Sequence, residues 1–100
     1  MRSVENIKRM LSSHIKEIRE RFGVKSIGVF SLGGDFHILV EFLPGRLNFD
    51  NYMDLKFYIE DLIGERINLI TKNSIKPRFK DIILESVEYV NQQGWHNSIA

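Results

Sequence analysis

The feature that most constrains the fold is a pair of adjacent glycines, Gly33 and Gly34, between two segments rich in β-branched and aromatic residues, 25–31 and 36–42. A type I′ turn requires positive φ at both central positions, which glycine adopts without steric penalty. The sequence therefore predicts an antiparallel β-hairpin. Side chains alternate between the two faces of a strand. In the second segment one face carries Phe36, Ile38, Val40 and Phe42, and the other carries His37, Leu39 and Glu41.

A helix is predicted before the hairpin, over residues 3–21, because its apolar residues recur at steps of three and four. Ser3 is suited to cap the start of this helix, and Gly23 is suited to end it. The positions expected to face the core are Val4, Ile7, Leu11, Ile15, Ile18 and Phe22.

Two more helices and one more strand are predicted after the hairpin. A second helix is expected from Asp50, as its cap, to about Ile63, and a third strand at residues 66–71. The last helix is expected to begin near Pro77, since proline is favoured in the first turn. The apolar residues expected to be buried by this helix and its end are Phe79, Ile82, Ile83, Val87 and Val90.

The predicted order is α-β-β-α-β-α, an α+β fold with helices packed on a small mixed sheet. We expect a single domain over residues 1–90 and a polar tail over residues 91–100, which contains Trp95. The chain has no cysteine, which excludes disulfides and thiolate metal sites. It has no apolar run long enough to span a membrane, and its net charge is only +1. These features predict a cytoplasmic protein without a membrane or nucleic-acid partner.

Several segments, taken in order, resemble the minimal nucleotidyltransferases, small polymerase-β-like proteins of prokaryotes. Residues 21–30 (RFGVKSIGVF) resemble the lead-in to the first strand of that family, and residues 38–42 (ILVEF) resemble the strand after its paired aspartates. The segments 49–57, 67–71 and 75–78 resemble the next helix, the third strand and the start of the closing helix. The resemblance covers roughly residues 4–90.

The resemblance implies an activity, cofactors and a partner. Members of the family transfer a nucleoside monophosphate from a nucleoside triphosphate, so the implied cofactors are ATP and Mg²⁺. Their signature is a Gly-Ser pair, a loop with an arginine, an Asp-x-Asp motif and a third aspartate on the third strand. Carboxylates suit this chemistry because Mg²⁺ prefers oxygen ligands. Small members often pair with a HEPN-domain toxin and adenylylate it, as its antitoxin.

The resemblance also places the candidate site residues. Asp35 matches the first of the paired aspartates, while His37 occupies the position of the second and Asn68 that of the third. These three are the candidate catalytic residues, and Asp35 and His37 are the candidate metal ligands. Only four residues separate Phe30 from Asp35, so the arginine-containing loop is largely missing. The residues left as candidates for nucleotide binding are Ser31, Gly33 and Gly34.

Each candidate feature has a simpler interpretation. Asp35 and His37 share a strand face and Asn68 lies on the next strand, which is compatible either with a residual metal or nucleotide site or with a solvated cleft. A histidine ligand would favour a softer ion than Mg²⁺. Glu41, on the same face, is a weaker candidate for an additional carboxylate. The two glycines are compatible with a phosphate-binding turn or with a plain hairpin.

Three functions are consistent with these patterns. The first is an adenylyltransferase-type enzyme that acts as the antitoxin of a HEPN toxin, with transfer weakened or lost because one carboxylate stands where the family has three. The second is a non-catalytic module that binds a protein partner. The third is a homodimer that retains only the fold.

Overall fold

The computed structural model describes residues 3–90 as four α-helices and a four-stranded sheet. The α+β class and the mixed sheet predicted from the sequence are confirmed. In chain order the elements are α1 (Val4–Ser12), α2 (Ile15–Phe22), β1 (Val24–Leu32), β2 (Asp35–Phe42), α3 (Phe49–Ile63), β3 (Asn68–Thr71), a 3-10 turn (Lys72–Ser74), α4 (Pro77–Ser86) and β4 (Glu88–Tyr89). No helix among these residues is long and apolar enough to cross a membrane.

The predicted hairpin forms the centre of the sheet. Gly33 and Gly34 have φ angles of 63° and 89°, and the flanking residues Leu32 and Asp35 pair directly across the strands. The sheet order is β3-β2-β1-β4, with β3 parallel to β2 and β4 antiparallel to β1. The two-residue turn therefore sets which residues of β1 and β2 face each other.

One face of the sheet carries the main core, formed with α1, α2 and α3. The alternation predicted for β2 is confirmed here, because Ile38 and Val40 are buried on this face. Each side chain of this size stabilises the fold by about 1.5–3 kcal/mol when fully buried. The residues contributed by the helices and by β1 include Ile7, Leu11, Ile18, Ile27, Val29, Leu55 and Ile59.

Within residues 3–90, α4 is the helix that covers the opposite face of the sheet, where there is a smaller core. Phe30 of β1, Leu39 of β2 and Ile83 of α4 are its buried residues. The chain leaving α4 lies very close to β1, since a Cβ added to Gly28 would lie 2.6 Å from Cγ2 of Val87. Glycine is therefore required at this position for β4 to pair with β1.

The long first helix predicted from the sequence is broken in two. Its predicted cap is confirmed, because the Asn6 N–H donates to Ser3 Oγ at 3.1 Å. The chain then turns at Ser13 and His14, where the Ser13 hydroxyl donates to the carbonyl of Met10 at 2.8 Å. Serine side chains compete in this way for backbone groups of the last turn. The apolar period continues through the break, which is why the sequence pattern does not reveal it.

The predictions for the second half need four corrections. Asn48 caps α3, accepting from the Asn51 N–H at 2.9 Å, so Asp50 lies inside the helix. Phe79 and Ile82, predicted to be buried, are 42% and 54% exposed. The third strand is shorter than predicted, and the short strand β4 was not predicted at all. The predicted tail, with Trp95, lies outside the described residues.

Tyr58 of α3 connects that helix to α2. Its hydroxyl donates to Glu17 Oε1 at 2.7 Å, and its ring lies 5.3 Å from the ring of Phe22. Burial and the neighbouring Glu17 carboxylate both disfavour a phenolate, and they raise the pKa of Tyr58 to about 12.

We expect the stability to fall in alkaline solution through Tyr58. Its folded-state pKa lies above the unfolded value of about 10, so its contribution is complete below pH 10 and is lost as the pH rises towards 12. Urea unfolding should show that the wild type has the higher free energy of unfolding below pH 10. Its advantage over Tyr58→Phe should decrease between about pH 10 and pH 12. A constant difference would contradict the assigned environment of Tyr58.

Gly28→Ala should destabilise the protein by about 1–3 kcal/mol, because the added methyl group overpacks the contact with Val87. Urea denaturation measures this change. Ser31→Ala, at an exposed position of the same strand, is the matched control and should change the stability by less than about 0.5 kcal/mol. Equal effects of the two substitutions would contradict the close approach of β1 and the end of α4.

Candidate functional site

The candidate catalytic residues lie on the face of the sheet that α4 covers. His37 of β2 pairs with Phe30 of β1 on one side and with Asn68 of β3 on the other. Asp35 lies two residues before His37, so its Cβ points to the same face. The strand register thus brings the three candidate residues to one end of the sheet, as the sequence analysis expected.

His37 is held by packing. Its ring stacks on the ring of Phe30, with centroids 5.0 Å apart and an interplanar angle of 15°. Stacking of this kind contributes about 0.5–1.5 kcal/mol beyond the buried area. The Nδ1 atom of His37 is buried and has no hydrogen-bond partner among the described residues. The half-buried ring therefore packs against the smaller core through Phe30.

Asp35 and Asn68 are both exposed. Together they line a cleft of about 280 Å³ at the end of β2 and β3, with Glu65 and Arg66 also on its wall. His37 does not line this cleft. The site is consequently divided: an exposed carboxylate and an exposed amide share a cleft, while the imidazole packs on Phe30.

The candidate nucleotide-binding residues lie in the open turn. Ser31, Gly33 and Gly34 are all exposed, and nothing lies within 4 Å of the Cβ position of either glycine. Because Leu32 and Asp35 already pair in the ladder, the connection contains only the two glycines. A phosphate-binding loop needs several backbone N–H groups converging on one point. A two-residue hairpin turn does not supply that arrangement.

The donor set does not fit two Mg²⁺ ions. Mg²⁺ requires near-octahedral oxygen coordination, and the three candidate residues offer one carboxylate, one amide and one imidazole. Within residues 3–90 no group of three or more His, Cys, Asp or Glu side chains is arranged to hold a metal ion. A site for a softer ion made by Asp35 and His37 stays a prediction.

Glu41, the additional carboxylate considered from the sequence, is engaged elsewhere. It forms ion pairs with Lys25 and Lys72, each at 3.6 Å, and accepts a hydrogen bond from Ser26 at 3.4 Å. These contacts join the open end of the hairpin to the end of β3. Its role in this structure is therefore to connect strands.

Sequence reasoning missed Phe30 as the residue that fixes His37. The signal was available in the sequence. A two-residue turn after Leu32 pairs that residue with Asp35. The pair two positions further from the turn is then Phe30 and His37.

Comparison with known proteins gives the family. No family model matches the chain. Protein adenylyltransferase MntA of Thermococcus cleftensis is 39% identical over 100 residues, a match that covers 90% of this chain and 98% of that protein. The chain belongs to the MntA family of protein adenylyltransferases.

Solved structures show the same fold at low identity. A minimal nucleotidyltransferase structure superposes with a TM-score of 0.69 at 22% identity, covering 87% of this chain and 95% of that one. The structure of a tri-AMPylated Shewanella oneidensis HEPN toxin in complex with an MNT antitoxin gives a TM-score of 0.62 at 11% identity, with 92% and 78% coverage. A toxin-antitoxin structure with AMP-PNP gives 0.60 at 10% identity, with 88% and 78% coverage.

The substitution His37→Phe should leave the free energy of unfolding unchanged or raise it by up to about 2 kcal/mol. It keeps the stack on Phe30 and removes the buried nitrogen that lacks a partner. Thermal and urea unfolding measure the change. Phe30→Ala, which should lose about 3–5 kcal/mol, shows that the assay detects damage to this core. A loss above about 2 kcal/mol in His37→Phe would show that the imidazole has a polar role.

Proposed function

We propose that this chain is the antitoxin-type partner of a HEPN-domain toxin and that it acts by binding, with nucleotidyl transfer weak or lost. The first half of this proposal is supported by the MntA relative and by the fold shared with an MNT antitoxin in complex with a HEPN toxin. The second half is supported by the chain's own site. The two halves can fail separately.

The observation that carries the loss of transfer is the row formed by Phe30, His37 and Asn68. In the family pattern the second and third positions of the metal-binding set are carboxylates. Here one of them is an imidazole stacked on a phenyl ring, and the other is a neutral amide. Neither supplies the negative charge that offsets two divalent cations and a triphosphate.

The short hairpin turn also supports a loss of transfer, because it lacks a loop that could bind the triphosphate. The family has a Gly-Ser pair and an arginine-containing loop between its first two strands. This chain has two glycines there, and Ser31 before them is exposed on the strand. A triphosphate at this end of the sheet would have neither an enclosing loop nor a loop arginine. We therefore expect ATP to bind weakly if it binds at all.

The remaining site residues still have a physical role. Asp35 and Asn68 line a cleft whose wall also includes Glu65 and Arg66. Such a cleft can form hydrogen bonds with a polar side chain or backbone of a protein partner. The proposal assigns to it recognition of the partner, without a covalent step.

ATP with Mg²⁺ or Mn²⁺, at up to about 5 mM, should shift the melting temperature by less than about 1 °C, because ligand binding stabilises only when the ligand concentration approaches Kd. Isothermal calorimetry should show no binding heat. The double variant His37→Asp/Asn68→Asp restores the two missing carboxylates and should gain measurable Mn²⁺ binding. Saturable Mg²⁺–ATP binding by the wild type at micromolar Kd would contradict the loss of the site.

The partner half of the proposal is tested separately, by co-expression with a HEPN-type protein encoded beside this chain. The two proteins should co-purify as a complex without added nucleotide, and Asp35→Asn should weaken the complex, because it removes a carboxylate from the cleft assigned to partner recognition. Failure of the wild-type chain to co-purify with that protein would rule out the antitoxin role and leave the result for nucleotide binding unaffected.

A further inference from the structure

The helix α3 is apolar on two opposite sides. Its inner side is buried through Leu55, Ile59 and Ile63. A helix that only covers a core carries charged residues on its outer side. The outer side of α3 carries Phe57, which is 52% exposed, and Phe49 at its start, which is 76% exposed. Met53, which is half-buried, lies between them at helical spacing, so the three form an apolar stripe that is exposed at both ends.

Three aspartates border this stripe on one side. Asp50, Asp54 and Asp61 are exposed, and none of them forms an ion pair with another described residue. We refer to the stripe and these aspartates as the α3 outer face. The residues of this face are Phe49, Asp50, Met53, Asp54, Phe57 and Asp61. This face is an apolar stripe with three negative charges along one edge.

The start of α4 has the opposite charge. All seven residues from 76 to 82 are exposed, and they include three cations against the single acid Asp81. Phe79 and Ile82 are the two residues of this segment that were expected in the core and are exposed instead. The Arg78 guanidinium lies 4.9 Å from the centroid of the Phe79 ring. We refer to residues 76–82 as the α4 start.

Neither surface is suited to contact the same surface of a second molecule. Two α3 outer faces would bring three aspartates towards three others, and two α4 starts would bring cations together. Like charges placed in contact destabilise an interface. The α3 outer face and the α4 start, by contrast, match in both respects: aromatic and aliphatic side chains meet each other, and aspartates meet Lys76, Arg78 and Lys80.

The two surfaces lie on opposite sides of the molecule, since α3 packs on one face of the sheet and α4 on the other. We propose that the α3 outer face of one copy binds the α4 start of a second copy. Such a contact is heterologous, and it adds copies head to tail. With few apolar side chains on each side, the interface belongs to the small, transient class. The proposal does not depend on the function proposed above.

Sedimentation equilibrium of the full chain tests this contact. The weight-average mass should rise above that of the monomer between about 20 µM and about 1 mM, as expected for a small interface. Phe57→Glu and Ile82→Glu, both at exposed positions, should each weaken self-association at least tenfold. Leu32→Glu, at a 46% exposed leucine at the hairpin end and outside both surfaces, is the matched control and should associate like the wild type.

A mixture of the two variants gives the sharpest result. Phe57→Glu retains the α4 start and Ile82→Glu retains the α3 outer face, so equal amounts should form a one-to-one complex that grows no further. Circular dichroism confirms that each variant is folded. If either is not, Asp54→Lys and Arg78→Glu replace them: each alone should be monomeric, and the mixture should associate, because it retains an unaltered α4 start and an unaltered α3 outer face. A wild type that stays monomeric, or a mixture that stays monomeric, would overturn the proposal.

Discussion

The register between β1 and β2 is the constraint on which the rest of the structure depends. A turn of two glycines closes the hairpin, and from it the pairing of Phe30 with His37 follows by counting along the strands. The same register sends Ile38 and Val40 into the main core and Leu39 into the smaller one. β3 then pairs with β2 so that Asn68 lies beside His37. A shift of one residue would reverse every one of these side chains.

This arrangement would allow the scaffold to persist without the transfer chemistry, as we propose. The main core is built by residues of α1, α2, α3 and the sheet other than Asp35, His37 and Asn68. Asp35 and Asn68 are exposed, so changing them costs little stability. His37 gains a stacking partner in Phe30, and that contact stabilises the smaller core.

The sequence predicted the features that are determined locally. The cap at Ser3, the turn at Gly33 and Gly34, and the alternation along β2 follow from the conformational preferences of a few neighbouring residues. The positions of Asp35, His37 and Asn68 on one face could also be predicted, because strand alternation and adjacency are enough.

What the sequence did not reveal depends on tertiary packing. β4 has two residues and exists because the chain after α4 meets β1 at Gly28. Phe79 and Ile82 are exposed because α4 packs on the sheet through its other side, where Ile83 is buried. Apolar spacing cannot distinguish a side chain that packs in its own domain from one that is free to contact another molecule. The stack of His37 on Phe30 is likewise a packing result.

The central claim is that this member of the MntA family retains the fold and has lost the metal-dependent transfer. Intact-mass spectrometry of the adjacent HEPN-type protein, after incubation with this chain, ATP and Mg²⁺, tests it most directly. The account predicts that the mass of the HEPN-type protein does not change and that its inhibition requires equimolar amounts of this chain. Addition of an adenylyl group to the HEPN-type protein by a catalytic amount of this chain would contradict the account.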